Sequence, residues 1–182
     1  MINGCKIRLC PKRLSDAIRD YAWQTDAELA WLDAAIPLTA SFSRYLQEYA
    51  AILNCGDNGG YQFAIDTIEG EHIGNCACYG IDGRLGEAEV GIIIGNRDYW
   101  GQGYGTDAFL TLVEYIFTKT ELQRLFLKTL DSNIKAQRCF AGCGFNPCGR
   151  LMQDGYSFVL MELYRHQWQE RIETLKAAKQ AV

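Results

Sequence analysis

The chain has 182 residues, of which 48% are hydrophobic and 22% charged, with 18 glycines and only three prolines. This composition excludes collagen-like, coiled-coil and disordered classes, and the length suits one domain with a sizeable core. The formal net charge of −4 lacks the basic excess of a duplex-binding protein, so we expect no nucleic-acid partner. We expect a single domain over 1–182, with a core over about 5–164 and a helical tail over 165–182.

The N-terminus carries charges but no apolar segment of the signal-peptide kind, and the longest apolar run, near Val90–Ile94, is far shorter than the ~20 residues of a membrane helix. We therefore expect a cytoplasmic protein with no membrane partner. The eight cysteines are dispersed without a C-x-x-C pair, which predicts reduced thiols and no metal site. His72 and His166 lack a motif context, and we expect both at the surface or in the tail.

The first half of the chain alternates between strand and helix patterns. Apolar residues two apart indicate half-buried strands, and apolar residues three and four apart indicate helices, while 23–35 shows no clean period. In chain order the predicted elements are a strand over 5–10, helices over 14–22 and 42–53, a turn cluster at 54–60, a hairpin over 61–68 and 71–81, and a strand over 87–95.

The second half continues with longer helices. Phe109, Leu112, Val113 and Ile116 line one face of the longest helix. The predicted elements are a helix over 104–117, a strand over 124–130, a helix over 133–143, strands over 146–153 and 156–163, and a helical tail from 164. This order predicts an α+β domain around one mixed sheet.

A glycine-rich loop joins the strand over 87–95 to the helix over 104–117. Gly101, Gly103 and Gly105 alternate there, and free N–H groups at a helix N-terminus form a phosphate site by geometry and dipole. A dinucleotide fingerprint requires a glycine where Thr106 stands, and a P-loop requires a Gly-Lys-Ser/Thr sequence that the chain lacks. The loop therefore predicts a phosphate site of another kind.

Two motifs give this loop a family context. The segment Ala88-Glu89-Val90-Gly91-Ile92-Ile93-Ile94-Gly95, followed by Asp98-Tyr99-Trp100-Gly101-x-Gly103-Tyr104-Gly105-Thr106, resembles the acetyl-CoA-binding motif of the GNAT N-acetyltransferases. Downstream, Asn133-x-x-Ala136-x-x-x-Phe140-x-x-x-Gly144-Phe145 resembles a second GNAT motif. The residues of the first motif are most similar to those of the branch that contains the ribosomal-protein N-terminal acetyltransferases. The resemblance implies the GNAT fold, with a mostly antiparallel sheet splayed at the fourth predicted strand.

The resemblance also implies roles for particular residues. The strand end would pair through its backbone with the pantetheine arm of acetyl-CoA, the loop would hold the pyrophosphate, and Asn133 and Phe140 would lie near the pantetheine and the thiol. The implied cofactor-binding residues are Ile92, Ile93, Ile94, Gly101, Gln102, Gly103, Tyr104, Gly105, Thr106, Asn133 and Phe140.

Acetyl transfer to an amine requires a base, because an ammonium has no lone pair, and a proton for the departing thiolate. Glu89, just upstream of the implied cofactor strand, is our candidate general base, and the family often uses a glutamate at this place. Phe140 departs from the family pattern, because many relatives have a tyrosine there whose hydroxyl is the usual proton donor. Either another group serves, or the thiolate leaves unaided.

The acceptor is less well specified by the sequence. Residues 25–71 hold eight acidic residues against the single base Arg44, in the part of the chain that builds the acceptor cleft in this fold. This segment carries Asp26, Glu28, Asp33 and Trp31, and we name Trp31, Asp26 and Glu28 as substrate-binding candidates. An acidic, aromatic cleft favours a basic amine, although an acidic solvated face is equally consistent.

We therefore predict a transferase that moves an acetyl group from acetyl-CoA to a primary amine, by direct attack in a ternary complex and without a metal. The acceptor is a peptide N-terminus or a small basic amine. Two alternatives remain open, a small-molecule acetyltransferase acting on polyamines or aminoglycosides and a non-catalytic acyl-CoA-binding module. A monomer and a homodimer both fit, since the late strands form a sheet edge that two chains can share.

Overall fold

The computed structural model describes residues 1–55 and 59–180, with side chains described up to residue 174. The strands are β1 Ile2–Asn3, β2 Ile7–Cys10, β3 Tyr61–Thr67, β4 His72–Asp82, β5 Glu87–Ile94, β6 Arg124–Leu130, β7 Asn146–Gln153 and β8 Tyr156–Tyr164. The helices are α1 Ala17–Thr25, α2 Ala27–Leu32, α3 Phe42–Cys55, α4 Tyr104–Lys119, α5 Ile134–Gly142 and α6 Arg165–Gln180, and short 3-10 turns span Leu14–Asp16 and Arg97–Tyr99.

The strands form one mixed sheet in the order β1-β2-β3-β4-β5-β6-β8-β7, in which β5 and β6 are the parallel neighbours. Their ladder has three residue pairs and ends where Glu89 faces Phe126, whereas β6 pairs with β8 along its whole length. Beyond Glu89 the two strands diverge and open a V-shaped gap. The predicted α+β fold, with a mostly antiparallel sheet splayed at this strand, is confirmed.

The main core lies between the sheet and α4. Phe109, Leu112, Val113 and Ile116, which the periodicity placed on one face, are fully buried against residues such as Val90. Helix α5 contributes Phe140 to the same core, and Phe140 packs 4.8 Å from Phe109 between ring centroids. Because the apolar face of α4 packs against the sheet, the start of this helix is held at the end of β5. The glycine loop, which joins the two elements, is held there as well.

Two elements, strand β1 and helix α2, were not predicted from the sequence patterns. Strand β1 has two residues, too few to show an alternation. Helix α2 has six residues, and its start is marked by Asp26, whose carboxylate accepts hydrogen bonds from the N–H groups of Glu28 and Leu29. An Asp N-cap is a readable signal, but six residues are too short for a helical period. The predicted turn cluster at 54–60 falls partly on residues 56–58, which lie outside the described residues.

A buried polar cluster joins α1 and α3 to the opposite face of the sheet. Asp20 of α1, 3% exposed, accepts hydrogen bonds from Lys12, from Tyr49 Oη at 2.9 Å and from Asn75 Nδ2 at 2.8 Å. His72 Nε2 lies 3.0 Å from Asp20 Oδ1, which completes the cluster.

The surface position expected for His72 is wrong, because the side chain is only 7% exposed. Its ring packs 5.0 Å from the ring of Trp23, and Asp20 and Asp66 lie beside its two nitrogens. Asp20, 52 residues away along the chain, hydrogen-bonds Nε2, whereas Nδ1 lies 3.4 Å from Asp66 and has no hydrogen-bond partner among the described residues. The contact with Asp20 is too distant in the sequence for a local pattern to reveal it. No helix within the described parts of the chain is long and apolar enough to cross a membrane.

Candidate active site

The gap between β5 and β6 holds a cleft of about 330 Å³. Glu89 and Ile92 line it from β5, and Asn133 and Phe140 line it from the start and middle of α5. These four residues, predicted from two separate motifs, therefore meet around one cavity. Seven further polar residues that the site prediction did not include also line it, namely Asp33, Tyr79, Lys128, Thr129, Gln153, Asp154 and Tyr156.

Glu89 stands at the last residue pair before the sheet opens, half-buried and facing the cleft. Its cross-strand neighbour is Tyr79, whose phenol lies beside the Glu89 carboxylate. Partial burial, followed by the negative charge of Glu89, raises the pKa of Tyr79, so the phenol keeps its proton next to this carboxylate.

Asp33 ends α2 and lines the cleft. The residue is exposed to solvent, and among the described residues its carboxyl has no ion-pair partner. Asp26 and Glu28 differ, because Arg97 binds both, at 2.8 Å and 2.7 Å, and these bonds lower the pKa of Asp26 to about 2. From the acidic segment, Asp33 therefore lines the cleft, whereas Asp26 and Glu28 form an ion-pair cluster outside its lining.

The other substrate-binding candidate, Trp31, is 48% exposed and does not line the cleft. It lies one turn from Asp26 and two residues before Asp33 on α2. A substrate role for Trp31, Asp26 and Glu28 remains a prediction. Asp33 caps the C-terminal end of α2. A helix of six residues is too short to be recognised from its sequence pattern, so the position of Asp33 could not be predicted.

The glycine loop has the backbone shape expected of an anion site. Gly101 and Gly103 have φ angles of +71° and +86°, and Gly103 caps the N-terminus of α4. A Cβ at Gly101 would meet no atom within 4 Å, so open space lies over the loop. The N–H groups of the first turn, from Tyr104 to Thr106, have no partner inside the helix and carry the positive end of its dipole. The loop therefore fits a pyrophosphate.

Several contacts hold the loop in place. The indole Nε1 of Trp100 donates to the carbonyl of Ile94 at 2.7 Å, which ties the loop to the end of β5. The Gln102 side chain bonds the carbonyl of Asp98, and the hydroxyl of Thr106 lies 3.4 Å from the sulfur of Cys139. Ile94 packs under Gly105, where a Cβ would lie 3.4 Å from the Ile94 side chain.

Lys6 brings a positive charge to this loop, and the sequence did not reveal it. Its Nζ donates to the carbonyl of Gln102 at 2.8 Å and lies 5.4 Å above the ring of Tyr104. Asp107 fixes the turn that carries Lys6, because its carboxylate accepts the N–H groups of Cys5 and Lys6 at 3.1 and 2.7 Å. The contact spans nearly a hundred residues, and no local pattern predicts such a contact.

The remaining predicted cofactor residues continue the same surface. Asn133 caps α5, with its Oδ1 accepting the N–H of Ala136 at 3.1 Å, and it also lines the cleft. Ile92 lines the cleft, whereas Ile93 and Ile94 lead the strand from there towards the loop. Phe140 is 6% exposed, so only an edge of its ring reaches the cavity. No group of metal-ligating side chains is found among 1–55 and 59–180.

A sheet splayed beside a helix N-terminus, with a carboxylate where the strands part, defines the acetyltransferase class of fold. The family model of the acetyltransferase (GNAT) domain matches residues 6–146, and the chain belongs to this family of N-acetyltransferases. The narrower branch of ribosomal-protein N-terminal acetyltransferases is not distinguished by this match.

The similar proteins agree with this assignment. An uncharacterized N-acetyltransferase, p20, from Bacillus licheniformis is 33% identical over 81 residues, which span 44% of this chain and 45% of that relative, less than half its length. A spermidine N-acetyltransferase from Vibrio cholerae, in complex with CoA and spermine, has a TM-score of 0.80 at 19% identity, over 90% of this chain and 98% of that one. An aminoglycoside acetyltransferase, AAC(6')-Ib, in complex with coenzyme A, has a TM-score of 0.72 at 19% identity, over 91% and 97%. At these identities the two structures show the shared fold.

Replacing Gly103 with valine is expected to weaken CoA binding about tenfold or more. The φ of +86° is strained for a β-branched residue, and the side chain projects over the space assigned to the pyrophosphate. Calorimetric titration with CoA measures the effect. Gly83→Val is the matched control, because a Cβ there meets no atom within 4 Å and the turn lies away from the loop. Equal CoA affinity in both variants contradicts the loop assignment.

Proposed function

We propose that this protein transfers the acetyl group of acetyl-CoA to a primary amine, by direct attack while both substrates are bound. The observation that carries the proposal is the position of Glu89, at the opening of a cleft that is lined by α5 on one side and by Asp33 on the other. A base between a cofactor wall and an acidic acceptor wall is what amine acetylation requires.

In this proposal the open backbone from Gly101 to Thr106 holds the pyrophosphate, and Lys6 adds a positive charge beside it. The end of β5 from Ile92 to Ile94, together with Asn133 and Phe140, lies along the pantetheine. When bound, acetyl-CoA supplies a thioester carbonyl, which an amine attacks. The chain itself supplies the binding groups, the orientation and the proton transfers.

The first proton transfer belongs to Glu89. An amine enters the cleft as an ammonium, and its positive charge is attracted by the unpaired carboxyl of Asp33 and by Glu89. Glu89 then accepts the proton, directly or through one water, which frees the lone pair for attack. Tyr79, the cross-strand neighbour of Glu89, keeps its phenol protonated beside this carboxylate.

The second proton transfer cannot use Phe140, which has no hydroxyl. Tyr156, the first residue of β8, lines the same cleft and carries a phenol. We assign Tyr156 as the group that gives a proton to the departing thiolate. In this proposal a phenol on β8 takes the role that a tyrosine on α5 has in many relatives.

Two acceptor types fit this cleft. The resemblance to the branch of ribosomal-protein N-terminal acetyltransferases favours a protein N-terminus. The unpaired Asp33, and the structural similarity to a spermidine N-acetyltransferase and to AAC(6')-Ib in complex with ribostamycin, favour a small basic amine. We propose that a longer acceptor also contacts Trp31, Asp26 and Glu28, which belong to α2 or cap it, as Asp33 does.

Release of free CoA thiol from acetyl-CoA tests the proposed function. We expect amines to raise the rate of thiol release at least tenfold over the amine-free rate, and mass spectrometry to find the acceptor heavier by one acetyl group. A ribosomal-protein N-terminal peptide, spermidine and kanamycin separate the acceptor types. CoA binding without any amine-dependent thiol release would support the non-catalytic binding module instead.

A further inference from the structure

A second open cavity, of about 370 Å³, lies on the outer face of the sheet. Phe126 of β6, Leu160 of β8 and Leu151 of β7 line it, and we call this cavity the outer groove. Phe126 and Leu160 are half-buried, and Leu151 is 39% exposed. Apolar side chains gathered in a concave, accessible surface are typical of a binding site.

The outer groove is continuous with the cleft. Glu89 and Lys128 line both cavities, and they stand on β5 and β6 where these strands part. Lys128 is tethered beside the opening, because its Nζ donates to Gln153 Oε1 at 3.2 Å and lies 5.6 Å above the ring of Phe158. A molecule whose amine lies at Glu89 therefore has a direct path into the outer groove.

Charges at the far end of the groove are already paired. Arg124 donates to Glu87 at 2.6 Å and to Glu162 at 2.7 Å, and its guanidinium lies 4.9 Å above the ring of Phe126. A ligand gains little by competing for such paired charges. The groove therefore offers apolar contact along its floor, and its end at Glu89 offers a carboxylate.

We propose that the acceptor is a primary amine with an apolar body, and that this body binds in the outer groove while the amine is held at Glu89. The inference rests on the proposed function, because it extends the same acceptor site. Strands β5, β6, β8 and β7 are neighbours in that order, so a body reaching Leu151 crosses three strand spacings, or roughly 14 Å. A polyhydroxylated or purely cationic acceptor leaves the apolar floor unused.

A series of unbranched alkylamines, from ethylamine to dodecylamine, tests this proposal with acetyl-CoA as the donor. We expect kcat/KM to rise about two- to fourfold for each added methylene, because each one leaves water for the groove floor. The rise stops when the chain reaches the end of the groove. Spermine, which is similar in length to dodecylamine but cationic, is expected to give a lower kcat/KM than dodecylamine.

Leu151→Asp places a charge in the groove floor at an exposed edge strand. We expect it to lower kcat/KM for dodecylamine about tenfold and to change kcat/KM for ethylamine less, because the short amine does not reach Leu151. Met152→Asp is the matched control, because Met152 is the next residue on β7, is 70% exposed and points to the other face of the sheet. Leu151→Ser repeats the test without a new charge, and thermal unfolding verifies that each variant folds.

The outcomes separate this inference from the proposed function. If no amine raises the rate of thiol release, both the proposed function and the outer-groove inference are overturned. Acetylation of amines with no dependence on chain length, or with the same dependence in wild type and Leu151→Asp, overturns the outer-groove inference alone. A dimer in sedimentation that Leu151→Asp dissociates, with unchanged kcat/KM for dodecylamine, shows instead that a second copy of the chain covers the groove, and this also overturns the inference.

Discussion

Replacing Glu89 with glutamine is expected to lower kcat for acetyl transfer about 10²–10⁴-fold. Glutamine keeps the shape of the side chain, but it cannot take a proton from the attacking amine. CoA affinity should stay within a factor of about three, because Glu89 lies away from the loop around Gly103 that we assign to the pyrophosphate. Thiol release and calorimetric titration with CoA measure the two quantities.

The pH dependence distinguishes a base from a structural carboxylate. Without a base, the variant can acetylate only amine that is already neutral in solution, so the rate of Glu89→Gln should rise about tenfold per pH unit below the pKa of the amine. The wild type removes the proton within the cleft and should show a weaker dependence on pH. Glu114→Gln, at an exposed position on α4, removes one carboxylate and should keep both the rate and the profile of the wild type. A Glu89→Gln variant with wild-type kcat and profile removes Glu89 from the proposed role.

The parts of the site that could be predicted are those whose chemistry is local in sequence. The loop from Gly101 to Thr106 follows one strand and starts one helix, so the glycine spacing and the apolar stripe of α4 were both readable. Asn133 and Phe140 came from a second motif on a single helix. The fold followed from the same elements, because the order of strands and helices leaves few ways to arrange one mixed sheet.

The parts that could not be predicted depend on pairing across the fold. The acidic segment provided eight carboxylates, but the sequence did not show that Arg97 binds Asp26 and Glu28 or that Arg13 binds Asp66. Only after those pairs are known does Asp33 stand out as a cleft-lining carboxylate without an ion-pair partner in the described chain. The net charge of a sequence segment therefore includes carboxylates whose charge is neutralised by ion pairs in the folded protein.

The position of Lys6 beside the glycine loop could not be predicted from the sequence either. It comes from a turn between the first two strands and reaches the glycine loop only because Asp107 binds the backbone of that turn. The burial of His72 likewise depends on carboxylates from α1 and β3. In each case the missing information is a contact between segments that are 50 to 100 residues apart in the sequence.

The buried polar cluster around Asp20 leads to the second large effect. Asp20→Asn is expected to lower the free energy of unfolding by about 3–5 kcal/mol, because Lys12 is then left as a largely buried charge without its partner. Tyr49→Phe removes one hydrogen bond to the same carboxylate and should cost about 1 kcal/mol. Chemical denaturation at neutral pH measures both, and Asp131→Asn, at an exposed turn, should change stability by less than about 0.5 kcal/mol.

The pH dependence of stability adds an independent measurement. Hydrogen bonds from His72 and Asn75 and the charge of Lys12 together outweigh the effect of burial and hold the pKa of Asp20 below its usual 3.8. The unfolded chain then binds a proton at Asp20 before the folded chain does, so stability rises with pH. The contribution is complete well above pH 3.8 and is lost as pH falls below 3.8 towards the folded-state pKa. Asp20→Asn should lose this part of the acid dependence.

A double variant separates the ion pair from the packing. Removing both charges, as in Asp20→Asn with Lys12→Met, should recover part of the stability lost in Asp20→Asn, because no buried ammonium remains unpaired. If Asp20→Asn is as stable as the wild type, the cluster contributes nothing to anchoring α1 against the sheet. If the double variant is less stable than Asp20→Asn, the stem of Lys12 contributes through packing and hydrogen bonding to Asn75 rather than through its charge.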